Sequence, residues 1–286
     1  MTQYAASTHS GLIRNHNEDS FESSPELGLW LVADGVGGHS GGEVASAIVK
    51  DTMVEEVGNG TPMVDAVHKA HRAVLDEIKR RNGASDMGST LVALKLDGKQ
   101  YEIVWVGDSR AYLFDGGLRQ LSRDHNPVSQ RLATGAITAD QAATHPDRHV
   151  LSQSMGVAES IQVKPGHISG QLEEGQQILL CSDGLSDEVR DEGIAEIMGQ
   201  QRTPQTQVDA LVNMALANGG RDNVSVVVVG EPAHGGAGAA PVTHDLETTQ
   251  NIGQAISHAT ADRVNHGGKI WLLVAAMVIV GLWLWL

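Results

Sequence analysis

A single cysteine, Cys181, stands in a chain of 286 residues, so no intrachain disulfide can form and a reducing compartment is permitted. Cys181 ends the apolar run 177–181, where a small buried strand residue fits better than a nucleophile. No cluster of cysteine and histidine competes to hold a soft metal. Basic residues are outnumbered, 20 against 35 acidic, leaving a formal charge of −15. An evenly acidic chain excludes nucleic acid as the natural partner, because phosphate backbones need a basic face. Residues 1–10 hold neither a basic start nor an apolar stretch, so no secretory signal is expected there. Internal repeats are also missing. What is present is a hydrophobic fraction of 41%, enough for one sizeable core or two small ones.

Three regions follow from the pattern. Residues 1–230 alternate strand-like and helix-like stretches and read as the working domain. Residues 231–268 lose apolar periodicity and begin Glu-Pro-Ala-His-Gly-Gly, the composition of a flexible linker. Residues 270–286 are an unbroken apolar run with Trp271 near one end and Trp283 and Trp285 near the other. At about 1.5 Å per residue such a helix spans roughly 25 Å, the short limit for a bilayer. Arg263 and Lys269 precede it, so the expectation is a single-pass, tail-anchored transmembrane helix at the cytoplasmic membrane, with everything upstream in the cytoplasm.

Within the first region, residues 29–33 form a short apolar strand, and 44–57 and 63–81 read as helices. In the latter, Met63, Val67, Ala70, Val74 and Ile78 make one buried stripe, which leaves His68 and His71 on a solvated flank. Strands are expected over 90–96, 101–106 and 111–114, joined by turns at Asp97-Gly98 and Asp115-Gly116-Gly117 short enough to require antiparallel pairing. Thr138 and Gln141 fit a capping box. Further strands lie at 178–181 and 224–229, and a helix over 203–218 opens with Thr203-Pro204. Helices beside antiparallel strands indicate an α+β layered fold and not an alternating βαβ one.

Five short motifs carry the chemistry: Arg14-Asn15-His16-Asn17-Glu18-Asp19, Asp34-Gly35-Val36-Gly37-Gly38, Gly107-Asp108-Ser109-Arg110, Ser182-Asp183-Gly184-Leu185 and Gly220-Arg221-Asp222-Asn223. Asp34 follows an apolar strand, Asp183 follows another, and Asp222 precedes a third. Strand ends hold ligands on a rigid frame, and Gly35 and Gly184 let the backbone bend close to an ion. Taken singly, Asp-Gly after a strand is an ordinary turn. Jointly, these acids form an oxygen-donor set for hard divalent cations. Arg14 adds the side chain best shaped to grip a phosphate at two points, and the combination points to phosphate-ester hydrolysis.

In that order, and with Gly42-Glu43-Val44-Ala45-Ser46, Gly88-Ser89-Thr90 and Leu121-Ser122-Arg123-Asp124-His125 between them, the motifs resemble the metal-dependent protein serine/threonine phosphatases of the PPM class, the PP2C family, and their bacterial branch in particular. The resemblance covers residues 8 to about 230. It implies a four-layer αββα sandwich, two antiparallel sheets flanked by helix pairs, with two Mn²⁺ or Mg²⁺ ions and a third, weaker site. Asp34 would bridge two metals, the Gly35 carbonyl would bind one of them, Asp183 and Asp222 would complete the first shell, and Glu18 and Asp19 would serve the second metal. Asp108 with Asp183 would take the third. Arg14 would hold the substrate phosphate, and Asn223 would orient Asp222. Water activated between the metals would attack phosphorus without a phospho-enzyme.

The implied partners are phosphoprotein substrates and a cognate Ser/Thr kinase, acted on by a monomeric catalytic domain. One departure stands out: some relatives carry a histidine where this chain has Val36, so the leaving-group acid is unassigned. His39 nearby reads as structural. The segment bounded by His125 and His145 matches the family's flap, with Arg131 as its candidate substrate contact. Two alternatives stay open, a catalytically silent regulatory or binding module and a small-phosphoester hydrolase of the same fold.

Overall fold

The apolar runs become the central strands of two antiparallel sheets. In this computed structural model, residues 2–37, 41–81, 87–156, 162–200 and 203–231 are described. The first sheet runs, edge to edge, β1 (Tyr4–His9), β11 (Val224–Val229), β10 (Gln177–Cys181), β7 (Arg110–Phe114) and β8 (Leu118–Gln120). The second runs β2 (Asp19–Ser24), β3 (Leu29–Val36), β5 (Leu91–Asp97), β6 (Gln100–Val106) and β9 (Gly166–Gln171), with the short β4 (Gly88–Ser89) pairing the end of β3. Every pairing is antiparallel, as the tight turns require.

Alternation along each strand divides the core into three leaves. Trp30, Val32, Leu94 and Ile103 from the second sheet meet Leu113, Ile178, Leu180 and Val227 from the first, filling the space between sheets. Neighbouring residues point the other way. Leu29, Leu31 and Ala93 pack under α1 (Gly41–Gly58) and α2 (Met63–Arg80). Leu179, Cys181, Val226 and Val228 pack under α6 (Asp191–Gly199) and α7 (Pro204–Ala217). The result is the αββα sandwich. Burying each large side chain here contributes about 1.5–3 kcal/mol, so strands buried on both faces, such as β11 with all six residues buried, are the most firmly held parts.

The described residues also include three smaller α-helices, α3 (Pro127–Ala133), α4 (Ala139–Ala143) and α5 (Asp183–Ser186), and a 3-10 helix at Pro146–His149. The capping box of Thr138 and Gln141 is formed at α4, and Thr203 caps α7 through the Thr206 N–H. Two expectations are corrected. His71 is buried, 7% exposed, and its Nδ1 accepts from the Gly156 N–H at 3.1 Å, because the segment ending at Gly156, bridged through Met155 to Ser89 of β4, covers that flank of α2. No helix among the described residues is long and apolar enough to cross a membrane. The run 270–286, with nearly all of the expected linker, lies outside the described residues, and its roughly 25 Å reach falls short of a hydrocarbon core of about 30 Å. The tail anchor and the assignment to the cytoplasmic membrane are withdrawn. Gly38 and His39 also lie outside the described residues.

Candidate active site

Strand ends from both sheets meet around a cleft of about 540 Å³ lined by Arg14, Glu18, Asp34, Asp108, Asp183 and Asp222, with Gly35 in its wall. Two registers build it. Asp19, at the start of β2, lies opposite Asp34 near the end of β3. The N–H of Ser182, just past β10, donates to the Ser225 carbonyl at 3.1 Å, which fixes Asp183 beside the start of β11. Asp34 is held by its own main chain, donating to Thr90 Oγ1 at 3.0 Å and accepting from the Thr90 N–H at 2.8 Å. The Gly88-Ser89-Thr90 motif therefore serves as the clamp on Asp34.

Glycine is required where the walls close. A Cβ on Gly35 would collide with the carbonyl oxygens of Gly42 and Glu18, and one on Gly184 with the carbonyl oxygen of Asn223. Those contacts join the Gly35 motif to those of Glu18 and Gly42, and the Gly184 motif to that of Asn223.

Asp19 and Asn223 sit behind the cleft and not on it. Asp19 Oδ2 accepts from the Ser182 hydroxyl at 2.8 Å, while its buried Oδ1 has no hydrogen-bond partner. Asn223 is buried, 5% exposed. Its Oδ1 accepts from the Glu18 N–H at 2.7 Å, and its Nδ2 donates to the carbonyls of Ser10 and His16, each at 2.9 Å. The side chain thus pins the loop that carries Arg14 and Glu18, whereas Asp222 is met by the backbone N–H of Asn223 at 2.8 Å. Arg14 Nη2 reaches Asp222 Oδ2 at 2.6 Å.

So many carboxylates in one place raise one another's proton affinity. Burial, then the charges of Asp19 and Asp183, push Asp34 well above the carboxylate range. Burial and Asp108 push Asp183 up in the same way. Asp19 rises to about 6 and Asp108 to about 7, burial being the first cause in both. Glu18 is raised by burial and partly restored by Arg14. A bound dication would reverse each of these penalties.

The opposite wall was not read from the sequence. Arg148, His149 and Asp187 also line the cleft. His149 Nδ1 lies 3.1 Å from Asp187 Oδ2, and a ring nitrogen of His149 with one oxygen each of Asp183 and Asp187 fall within 4.8 Å of one another. Asp187 follows Asp183 by one helical turn, a spacing that places both on one face and that was visible in Ser182–Asp187. His149 offered no such signal. Arg131 contacts His145 Nε2 at 3.1 Å and is not among the residues lining the cleft, whereas Arg148 is.

Residues 12–217 match the family Protein phosphatase 2C. The serine/threonine protein phosphatase PstP of Mycobacterium tuberculosis is 37% identical over 235 residues, covering 79% of this chain and 44% of PstP, so the chain spans less than half the length of that relative. The serine/threonine phosphatase stp of Listeria monocytogenes is 33% identical over 236 residues, covering 78% of this chain and 93% of the relative. Among solved structures, the catalytic domain of PstP in complex with 2 manganese ions superposes with a TM-score of 0.71 at 33% identity, over 81% of this chain and 99% of that one. The chain belongs to the protein phosphatase 2C family.

Proposed function

We propose that this chain is a divalent-metal-dependent protein phosphatase that hydrolyses phosphoserine and phosphothreonine on proteins and opposes a serine/threonine kinase, with residues 1–230 as its catalytic unit. The observation that carries this reading is the convergence of Glu18, Asp34, Asp108, Asp183 and Asp222 with Arg14 on one cleft. The donor set fits a hard dication: every side-chain ligand is a carboxylate, the acids repel one another when ionised, and the buried Asp19 Oδ1 lacks a partner. Oxygen donors of this kind suit Mn²⁺ or Mg²⁺, in keeping with the manganese of the PstP structure.

Asp34, the Gly35 carbonyl, Asp183 and Asp222 would hold one ion, Asp34 with Glu18 and Asp19 a second, and Asp108 with Asp183 a third, weaker one. Bound ions supply the charge that makes water nucleophilic at neutral pH and neutralises phosphoryl oxygens. Arg14, with 52% of its side chain exposed, grips two phosphate oxygens and aligns phosphorus for in-line attack. Asn223 fixes the loop from which Arg14 reaches. Ser182 holds Asp19 behind the wall. Val36 has no proton to give, and Cys181, buried with its thiol pushed up to about 12 by that burial, takes no part.

Phosphate release by the full chain from a phosphothreonine peptide, with Mn²⁺ or with EDTA, tests the reading. Release is expected only with Mn²⁺, and Asp34→Asn and Asp183→Asn should each lower it by roughly 10³-fold or more, the scale of losing a metal-held nucleophile. A wild-type chain that binds Mn²⁺ and releases no phosphate would sink the proposal and favour the silent module.

A further inference from the structure

We infer that Leu12, Ile13 and Val150 form an apolar rim that receives a hydrophobic side chain flanking the phosphorylated residue of a protein substrate. The inference rests on the phosphatase reading and adds a substrate class to it. Among the described residues, six large hydrophobic side chains are exposed, and three of them adjoin cleft-lining residues in sequence. Leu12 and Ile13, 63% and 68% exposed, directly precede the cleft residue Arg14. Val150, 51% exposed, lies between the cleft residues His149 and Leu151.

This exposure is built in. The Leu12 N–H donates to the Gly220 carbonyl at 2.7 Å, and Asn223 ties down Ser10 and His16 on either side. Leu12 lies over Gly220, where an added Cβ would come within 3.0 Å of its Cγ and 3.1 Å of Leu216 Cδ2, so the patch continues onto α7. A loop locked in this way holds two apolar side chains exposed, with nothing among the described residues to cover them, which marks a contact surface.

The cleft floor explains what the contact is. Its acids and Arg14 can engage the phosphoryl group alone, and a small phosphoester would reach them without touching the rim. An extended peptide advances about 3.3 Å per residue, so with its phosphate on Arg14 the first or second flanking residue comes over Ile13. Acidic flanking residues are opposed by the chain's charge of −15 and by the carboxylates of the cleft, whereas an apolar one gains cover on both sides.

The test compares the full chain with Ile13→Ser and Leu12→Ser/Ile13→Ser on two phosphothreonine peptides differing only in leucine or serine at the flanking positions, and on p-nitrophenyl phosphate, all with Mn²⁺. Wild type should favour the leucine peptide by about 10-fold in kcat/KM, the scale of one well-packed apolar side chain. The double variant should lose that preference through KM and keep its rate on p-nitrophenyl phosphate, with Ile13→Ser between the two. Equal use of both peptides by wild type, or an undiminished preference in the double variant, overturns the inference. So does loss of binding to phosphatidylglycerol vesicles in the variants with peptide preference intact, which would make the rim a lipid contact. Failure to hydrolyse any of the three substrates would instead strike the phosphatase reading.

Discussion

The two walls of the cleft are built differently. One consists of strand ends: Asp34, Asp183 and Asp222 stand where β3, β10 and β11 stop or begin, with Asp19 of β2 behind them, and β3, β10 and β11 are each paired with strands on both sides. The other is a single-turn 3-10 helix, Pro146–His149, carrying Arg148 and His149. It is tied down by the Asn126 side chain on the Arg148 carbonyl at 2.9 Å, by the Ser152 N–H on the His125 carbonyl at 2.7 Å, and by the His149–Asp187 contact. Groups that must hold an ion need the first kind of support, since small displacements spoil coordination. Groups that meet a variable protein substrate can sit on the second.

The sharpest contrast comes from placing a methyl group in the strand-end wall and in the irregular segment that leads to the other wall. Gly35→Ala puts a Cβ against the carbonyl oxygens of Gly42 and Glu18, neither of which can yield without moving the start of α1 or of β2. A loss of roughly 3 kcal/mol is expected, the upper range for overpacking, with phosphate release abolished. Gly135→Ala, on the loop after α3, meets nothing within 4 Å and suffers only from its φ of 71°, about 1 kcal/mol. Thermal melts and phosphate release would check both. Equal damage from the two would mean that the strand-end wall is no more rigid than the segment between α3 and α4.

Acid stability sharpens the same contrast, because the raised carboxyls lie on the strand-end wall and its neighbouring β6–β7 turn. Asp19 and Asp108 titrate at about 6 and about 7 in the fold, above their ordinary 3.8. Between those values the folded protein keeps protons that the unfolded chain has released, so its stability falls as pH rises. Melts in EDTA should therefore show Tm dropping from pH 5 to pH 8, and Mn²⁺ should restore it at pH 8. A metal-free Tm that climbs over this window would show that the acids are not crowded as described.

The strand-end wall was also the legible one. Asp34 and Asp183 announce themselves because an apolar run must stop somewhere, and Asp-Gly after it gives both the place and the bend. Other elements left weaker traces. β2 reads Asp-Ser-Phe-Glu-Ser-Ser and β9 reads Gly-His-Ile-Ser-Gly-Gln; both are sheet edges whose outward faces meet water, so neither carries an apolar run. Asn223 was legible as important and misread in its contact, since only folding brings the carbonyls of Ser10 and His16 within reach of its amide. His71 was misread because helical periodicity locates the stripe facing the sheet and says nothing of a distant segment covering a flank. His149 could not be found at all: a lone histidine acquires meaning only from Asp183 and Asp187 beside it.

His149 is where the comparison can be broken outright. Its contact with Asp187 is open to solvent, with side chains 44% and 32% exposed, and an exposed pair of this kind contributes little to stability. If its wall only shapes how substrate sits, His149→Ala should lower kcat/KM on a phosphothreonine peptide by less than about 10-fold, short of the 10²–10⁴ that a proton-transferring group supplies. Its Tm should hold, and the number of Mn²⁺ ions bound, counted by calorimetry, should match wild type. A larger loss with unchanged metal content would make His149 the missing donor to the leaving oxygen, the task Val36 cannot perform. A lost ion would instead make it a ligand alongside Asp183. Either result would put part of the chemistry on the wall with the fewest ties to the sheets, and rigidity of support would no longer separate the residues that react from those that recognise.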